Sequence, residues 1–329
     1  MRSLRPLLGP GFGVLFVVVA MGVLPAVIGD YEVDLLSKVF VLAIFALSLE
    51  LLVGQVRLVS LGHAAFIALG AYGTAFMLQS AGPGSFLTAM VVAMAMSGAY
   101  ALPVAALSLR TRGVYFIMVT LAFAQLVYYV VHDTKIAGGS DGIYLNGTPT
   151  VSFFGWTPFD VTRPVPFYYT SLVLLIAVFA FLTLLARSRF GRALAGIRAN
   201  EQRMRAAGFA TYPYKIGAFV IGAMLAGLAG FLRASRDGYV SPDLSSWHQS
   251  GTVLLVIILG GIGRLHGAVI GALAFVLLQE VYRSETIFGE FARRWQLMLG
   301  VTLIASVLAL PEGLAGLPQR LRWRGRAHG

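Results

Sequence analysis

This chain contains no cysteine. Disulfides, thiol nucleophiles and cysteine-ligated metal sites are therefore excluded. Charge is also scarce: Asp, Glu, Lys and Arg make up 12% of the 329 residues, about half the usual share in a soluble domain. The histidines are scattered, without the spacing of metal ligands. There is no phosphate-cradling glycine loop, no pair of acids at catalytic spacing and no nucleophile–base set. Nothing here hydrolyses a nucleotide, so any energy source must lie elsewhere, in an ion gradient or a separate ATPase. No cofactor is expected in the chain itself.

What remains is apolar. The chain is 58% hydrophobic with a mean hydropathy of +0.80. It reads as an all-α polytopic membrane protein, a single transmembrane domain over 1–329. The length suits roughly eight to ten spans of about 20 residues each. The net charge of +11 would suggest nucleic acid in a soluble protein. Here the basic residues flank apolar runs, so orientation in a membrane accounts for them; lipid is the expected partner, and nucleic acid is not.

In chain order, Arg2 and Arg5 precede an apolar run that resembles a signal peptide. Its length, and the lack of a small-residue cleavage site, instead predict an uncleaved first span over 11–29. An acidic connection with Asp30, Glu32 and Asp34 follows, then a span over 38–54 and a stretch thick with glycine and alanine from 54 to 78. Further spans are predicted at 86–108, 113–132, 167–186, 214–234 and 295–310. The polar stretch 133–166, with GGSDG and several prolines, reads as a turn-rich external loop. The run 251–281 is too long for one helix and is cut by GGIGRLHG at 260–267. Counting it as two passes puts Arg264 and the basic tail 311–329 on the same side as Arg57, Arg110 and Arg112. That gives about ten membrane-entering helices, some broken or half-length, with both termini cytoplasmic. The piece 251–260 is short enough to be half-embedded.

The loop 187–213 interrupts this pattern. It holds six arginines, Arg187, Arg189, Arg192, Arg198, Arg203 and Arg205, against one acid, Glu201. Its middle, 191–208, is rich in helix formers and lacks proline, which predicts a short helix at the cytoplasmic surface between two spans. A solvated basic loop, or a helix lying on anionic lipid, has the same composition. Leu194, Ile197 and Met204 recur near one face at helical spacing. Glu201 is placed either to pair internally with Arg198 or Arg205 or to meet a basic residue of a partner.

Few polar residues sit inside the spans. A carboxylate at mid-bilayer costs roughly 3 kcal/mol, so Glu50 faces a partner or a cavity, or lies near the cytoplasmic end and reaches water. Ser60, Gly62 and His63 form a polar, glycine-containing break of the kind that lines transporter sites. Thr120 and Gln125 could line a route as well. For all of these, hydrogen bonding between neighbouring helices is the structural alternative.

Several stretches together resemble the membrane permeases of branched-chain amino-acid ABC importers, in particular the LivM-like transmembrane subunit. They are SLGHAAFIALGAYG (60–73), RTRGVYFIMVTLAFAQLVYYV (110–130), GGSDGI (138–143), GRALAGIRANEQRMRAAGF (191–209), KIGAFVIGAMLAGLAGFL (215–232) and VIILGGIGRLHGAVIGALAFVLLQE (256–280). The resemblance implies a bacterial inner-membrane protein paired with a second, related permease. It also implies two cytoplasmic ATPases, which bind the ATP and Mg, and a periplasmic binding protein that delivers substrate. Within it, 191–208 looks like the coupling segment, with Leu194, Ile197, Arg198, Glu201, Met204, Arg205 and Gly208 as its contact residues. Where the family usually has a glycine-rich connection before SLGHAAF, this chain has Gln55, Val56, Arg57, Leu58 and Val59. Related permeases carry urea, amides or other amino acids. An ion-coupled carrier or channel acting alone is the alternative of a different class, with Glu50 as its ion site.

Overall fold

The computed structural model describes residues 21–81, 86–145, 147, 151–153, 156–159 and 163–317. Its main helices are α1 (Asp30–Val56), α2 (His63–Ala81), α3 (Phe86–Ser108), α4 (Val114–Asp133), α5 (Pro164–Arg187), α6 (Arg189–Ala199), α7 (Glu201–Ala206), α8 (Thr211–Asp237), α9 (Trp247–Gly260), α10 (Leu265–Arg283) and α11 (Trp295–Ala309). Seven helical stretches among the described residues are long and apolar enough to cross a membrane: α1, α3, α4, α5, α8, α10 and the segment 285–316 that contains α11. The multi-span helical bundle is as the sequence predicts; these seven, counted by length and composition among the described residues, do not confirm the number ten. Most of the predicted first span, and the end of the basic tail, lie outside the described residues. At 14 residues, α9 is about 21 Å long, well short of a bilayer core of about 30 Å.

The helices α1 and α8 form the centre. The helix α8 packs on α1, α2 and α3, while α1 also packs on α5 and α10. Lipid chains are as apolar as leucine, so close backbone approach and interhelical hydrogen bonds must supply the packing energy. The contact between Gly70 and Gly227 shows this: a Cβ at Gly70 would run into the Gly227 backbone. One helix along, Ser97 Oγ donates to Phe66 O across α3 and α2 at 2.8 Å. Outer helices keep their apolar side chains exposed, among them Leu102, Met118, Val173, Leu184 and Ile304. Such a surface fits hydrocarbon rather than water.

One boundary differs from the sequence prediction. Residues 30–38 are the first turns of α1 rather than an acidic loop. Asp30 and Glu32 lie in the first turn, where the helix dipole favours negative charge. Asp34 is held by Arg236 of α8 through two bonds of 2.8 Å and by Lys38 at 3.2 Å.

The predicted loop 133–166 begins by folding back on the connection after α8. Strand β1 (Ile143–Tyr144) pairs antiparallel with Tyr239–Val240, the fourth strand in chain order. Tyr239 Oη donates to Asp141 O at 2.7 Å. Farther on, β2 (Val151–Phe153) and β3 (Trp156–Phe159) form a second antiparallel pair. Asp160 of this loop lies outside the described residues. At the opposite end of the bundle, the α1–α2 connection, the α3–α4 turn and the α6–α7 pair bring Arg57, Arg110, Arg112, Arg198 and Arg205 together around one cleft.

Candidate functional site

The predicted single helix over 191–208 is two helices meeting at Asn200. Ser188 caps α6, accepting from Gly191 N at 3.2 Å, and Asn200 caps α7, accepting from Arg203 N at 2.9 Å. Short polar side chains at such positions satisfy otherwise orphaned backbone donors. Asn200 itself is extended, with φ −160° and ψ 103°, which breaks the helix. Gly208 then turns the chain with φ +85°.

The inner face of this pair is not the one the sequence offered to a partner. Leu194 and Ile197 were expected to fill a groove in an ATPase; both are buried within this chain, where α6 packs on α1, α5 and α8. Met204 is half-buried and folds back over Gly196, joining α7 to α6. The face left outward carries Arg189, Arg192, Ala195, Ala199, Arg203 and Phe209. Ala195 and Ala199 sit on it at helical spacing, a small-residue stripe the sequence reading passed over in favour of the larger apolar one.

Glu201 takes the internal role. Its carboxylate accepts from Arg205 Nη2 at 2.6 Å, Thr211 Oγ1 at 3.1 Å and Lys215 Nζ at 2.5 Å. Arg198 is not among its partners. Thr211 and Lys215 belong to α8, so this clasp ties the α7 turn to a central helix. Partial burial raises the carboxyl's pKa, but the Lys215, Thr211 and Arg205 bonds outweigh it and leave Glu201 below its ordinary value.

Glu50 lies near the C-terminal end of α1 and is buried. Its Oε1 accepts from Gly263 N, 2.6 Å away in the turn between α9 and α10. Gly263 has φ +88°, and the Arg198 guanidinium rests against it. A carboxylate is acceptor-only, so it suits a backbone donor left free by a tight turn. Glu50 thus joins α1 to a turn that touches α6. Arg264 in the same turn donates to Ala315 O at 2.9 Å and pairs with Glu312 at 3.1 Å, which holds residues 312–315 at this end.

The remaining predicted residues are packed rather than open. His63 Nε2 lies 2.8 Å from Ser48 Oγ, which itself sits 2.6 Å from Phe45 O. The ring stacks on Phe45 at 5.5 Å. Ser60 accepts from Gly62 N, and Ser250 of α9 accepts from Ala64 N, so both secure the start of α2. Gly62 abuts the Thr120 backbone, and Thr120 Oγ1 donates to Ile117 O of its own helix. Gln125 is half-buried on α4. None of Glu50, Ser60, Gly62, His63, Thr120 or Gln125 lines either of two large clefts found among the described residues. One of these clefts, about 720 Å³, opens beside α6 and α7 and is ringed by Arg57, Arg110, Arg112, Arg198, Arg205 and Lys215.

Residues 32–307 match the family described as branched-chain amino acid transport system / permease component. The chain belongs to this permease family. It is 31% identical over 327 residues to the high-affinity branched-chain amino acid transport system permease protein LivM of Escherichia coli (strain K12), covering 93% of this chain and 75% of that one. The probable branched-chain amino acid transport permease protein LivM of Methanocaldococcus jannaschii is 22% identical over 246 residues, covering 70% and 67%. The L-arabinose transport system permease protein AraH of Escherichia coli (strain K12) is 28% identical over 202 residues, covering 58% and 56%. No solved structure matches. The family match runs from the third residue of α1 to within α11, so the α6–α7 pair, Glu50 and the Gly263 turn of this permease all lie inside it.

Arg57 follows from the departure noted in the sequence. It is the one non-glycine residue among those described with positive φ, at +60°, and it closes α1 with Leu58 N bonded to Leu52 O at 3.0 Å. This is the helix-ending position where glycine is the usual choice. Here an arginine takes it and adds its charge to the basic cleft.

Proposed function

We propose that this permease is one transmembrane half of an ATP-driven importer for branched-chain amino acids. The observation that carries the reading is the 31% identity to LivM along 93% of the chain. The structure supplies a matching device. A pair of short amphipathic helices at the arginine-rich end is clasped to α8 through Glu201 and lies against the turn that Glu50 holds to α1. A rigid-body displacement of this pair would move the central helices with it. In this reading a second, related permease forms a heterodimer with the chain. Two ATPases, carrying ATP and Mg, dock on the face of Arg192, Ala195, Ala199 and Phe209, and a periplasmic binding protein delivers substrate at the other end. The basic end and both termini face the cytoplasm of a bacterial inner membrane.

The test is reconstitution of the permease in proteoliposomes, alone and with its second permease, ATPases and binding protein. L-Leucine uptake is expected only with ATP and the full set of partners. Uptake by the lone chain on an ion gradient would establish the stand-alone carrier instead. The likeness to AraH gives a second reading, the same machine for a sugar, and L-arabinose uptake in place of leucine would select it.

Orientation has its own test, made simple by the lack of native cysteine. Tyr144→Cys, exposed on β1, is expected to react with an impermeant thiol reagent on intact cells. Arg203→Cys, exposed on α7, is expected to react only after the membrane is permeabilised. The reverse pattern would invert the proposed topology.

A further inference from the structure

The second large cleft lies at the end of the bundle away from α6 and α7, and none of the predicted pathway residues lines it. It encloses about 400 Å³ between α1, α8, α9, α10 and the start of α11, within the usual range for small-ligand pockets of roughly 300–1,000 Å³. Its lining is divided by depth. Leu42, Phe45, Ile67, Phe275 and Val276 form an apolar wall. Lys38, Arg233, Arg236, Glu280 and Arg283 carry its charge. Along α1 the lining runs from Lys38 down to Phe45, and along α10 from Arg283 and Glu280 down to Val276 and Phe275. At about 1.5 Å per residue, the charged mouth stands some 7–10 Å above the apolar floor.

Most of these charges are already engaged. Arg236 and Lys38 share Asp34, and Arg233 pairs with Asp237 at 3.4 Å. Arg283 is different. Its guanidinium lies over the Trp295 ring, 4.3 Å from the centroid, which uses its face and leaves its edge donors directed elsewhere. Glu280 accepts from the Tyr31 hydroxyl, and one carboxylate can accept several bonds. The two lie three residues apart on α10 and so are neighbours on its surface. Gln249, Thr252 and Gln279 also line the cleft, and their side chains make no hydrogen bond within the described residues. The four cations of the lining face three carboxylates, Asp34, Asp237 and Glu280, so one positive charge is in excess.

We infer that this cleft is an intake site for a zwitterionic α-amino acid with an aliphatic side chain. The substrate carboxylate meets the Arg283 fork, and its ammonium meets Glu280 with the amide oxygens of Gln249 and Gln279. Its hydrocarbon side chain points down onto Phe45, Phe275 and Val276. This arrangement selects against an amine or an acid alone, because each forfeits one of the two ion pairs that the zwitterion makes. It also selects against a sugar, which would set hydroxyls against the apolar floor. The inference rests on the importer reading above and gives it a substrate site in this chain.

The test uses the complete permease–ATPase complex in right-side-out membrane vesicles from cells lacking the binding protein, so that protection reports only the membrane-embedded site. Thr252→Cys provides the reporter, labelled with a small methanethiosulfonate from the outer side. Millimolar L-leucine is expected to slow labelling at least 5-fold. Isoamylamine and isovalerate, each lacking one of the two charges, and L-arabinose are expected to leave it unchanged. Tyr144→Cys, outside the cleft, should label at the same rate with or without leucine. Adding Glu280→Gln or Arg283→Met to the Thr252→Cys background should raise the half-protecting leucine concentration at least 10-fold. Failure of Thr252→Cys to label from outside, absence of protection by leucine, or equal protection by isoamylamine would each overturn the site. Leucine uptake by the wild-type complex with its binding protein is read separately. Uptake without protection rejects this site alone, whereas no uptake rejects the importer reading for branched-chain substrates.

Discussion

Replacing Glu50 by alanine is expected to leave the permease folded in the membrane but cut coupled uptake at least 10-fold. Glu50 Oε1 is the acceptor for Gly263 N in the α9–α10 turn. Removing it strands a partly buried backbone donor, at a cost of up to about 1–3 kcal/mol. The turn can escape that cost only by moving away from α1. It would then lose its place beside Arg198 of α6, and a push on α6 would no longer reach α1 through it. The expected signature is ATP hydrolysis that persists while leucine uptake falls, measured on the same reconstituted complex. Glu50→Gln keeps an acceptor oxygen at nearly the same volume and should retain uptake within about 3-fold. Wild-type uptake in Glu50→Ala would show that the turn holds without this bond. A Glu50→Gln variant as inactive as Glu50→Ala, with its fold intact, would make the charge itself essential and favour an ion site at this position.

The broad architecture was legible because hydropathy reports what lies in the membrane whatever the neighbours do. The spans at 86–108, 113–132, 167–186 and 295–310 all correspond to helices with ends shifted by at most a few residues. The break in 251–281 was legible from GGIGRLHG, since glycines at positive φ end α9 and open α10. The start of α1 was not, because Asp30, Glu32 and Asp34 resemble a loop until their partners are known. Asp34 is held by Arg236, 202 residues away. The same limit hid the role of Glu50, whose donor is 213 residues distant. The burial of Leu194 and Ile197 within the chain was hidden for another reason. An apolar stripe on a short helix announces burial but not whose surface buries it. Here the protein's own central helices do, and Ala195 and Ala199 on the opposite face are left exposed. The cleft between α1, α8, α9 and α10 was missed because its charges come from α1, α8 and α10, each resembling the ordinary end of a span.

The clasp around Glu201 gives the other large effect. Glu201→Lys is expected to abolish uptake while leaving the ATPases bound. The carboxylate gathers Arg205, Thr211 and Lys215, and at a partly exposed site each such contact contributes about 0.5–1 kcal/mol. A lysine in its place reverses the interaction and sets three cations against one another, so α7 should detach from α8. The docking face of Arg192, Ala195, Ala199 and Phe209 is separate from the clasp, so co-purification of the ATPases should survive. Ala199→Trp should do the opposite, disrupting docking while the clasp stays whole. Acid should mimic the charge loss in the wild type. Glu201 has a folded pKa below its ordinary 4.5, so its stabilising contribution is complete above that value and is lost as the pH falls through the lower, folded one. Coupling should therefore be flat in this respect from pH 8 to pH 5, then fall more steeply in the wild type than in Glu201→Gln, whose side chain does not titrate. The paired measurements are ATPase co-purification and leucine uptake for each variant. Loss of docking together with uptake in Glu201→Lys would mean that Glu201 meets the ATPase itself, and unchanged uptake would mean that α7 need not be held to α8 for the push to pass.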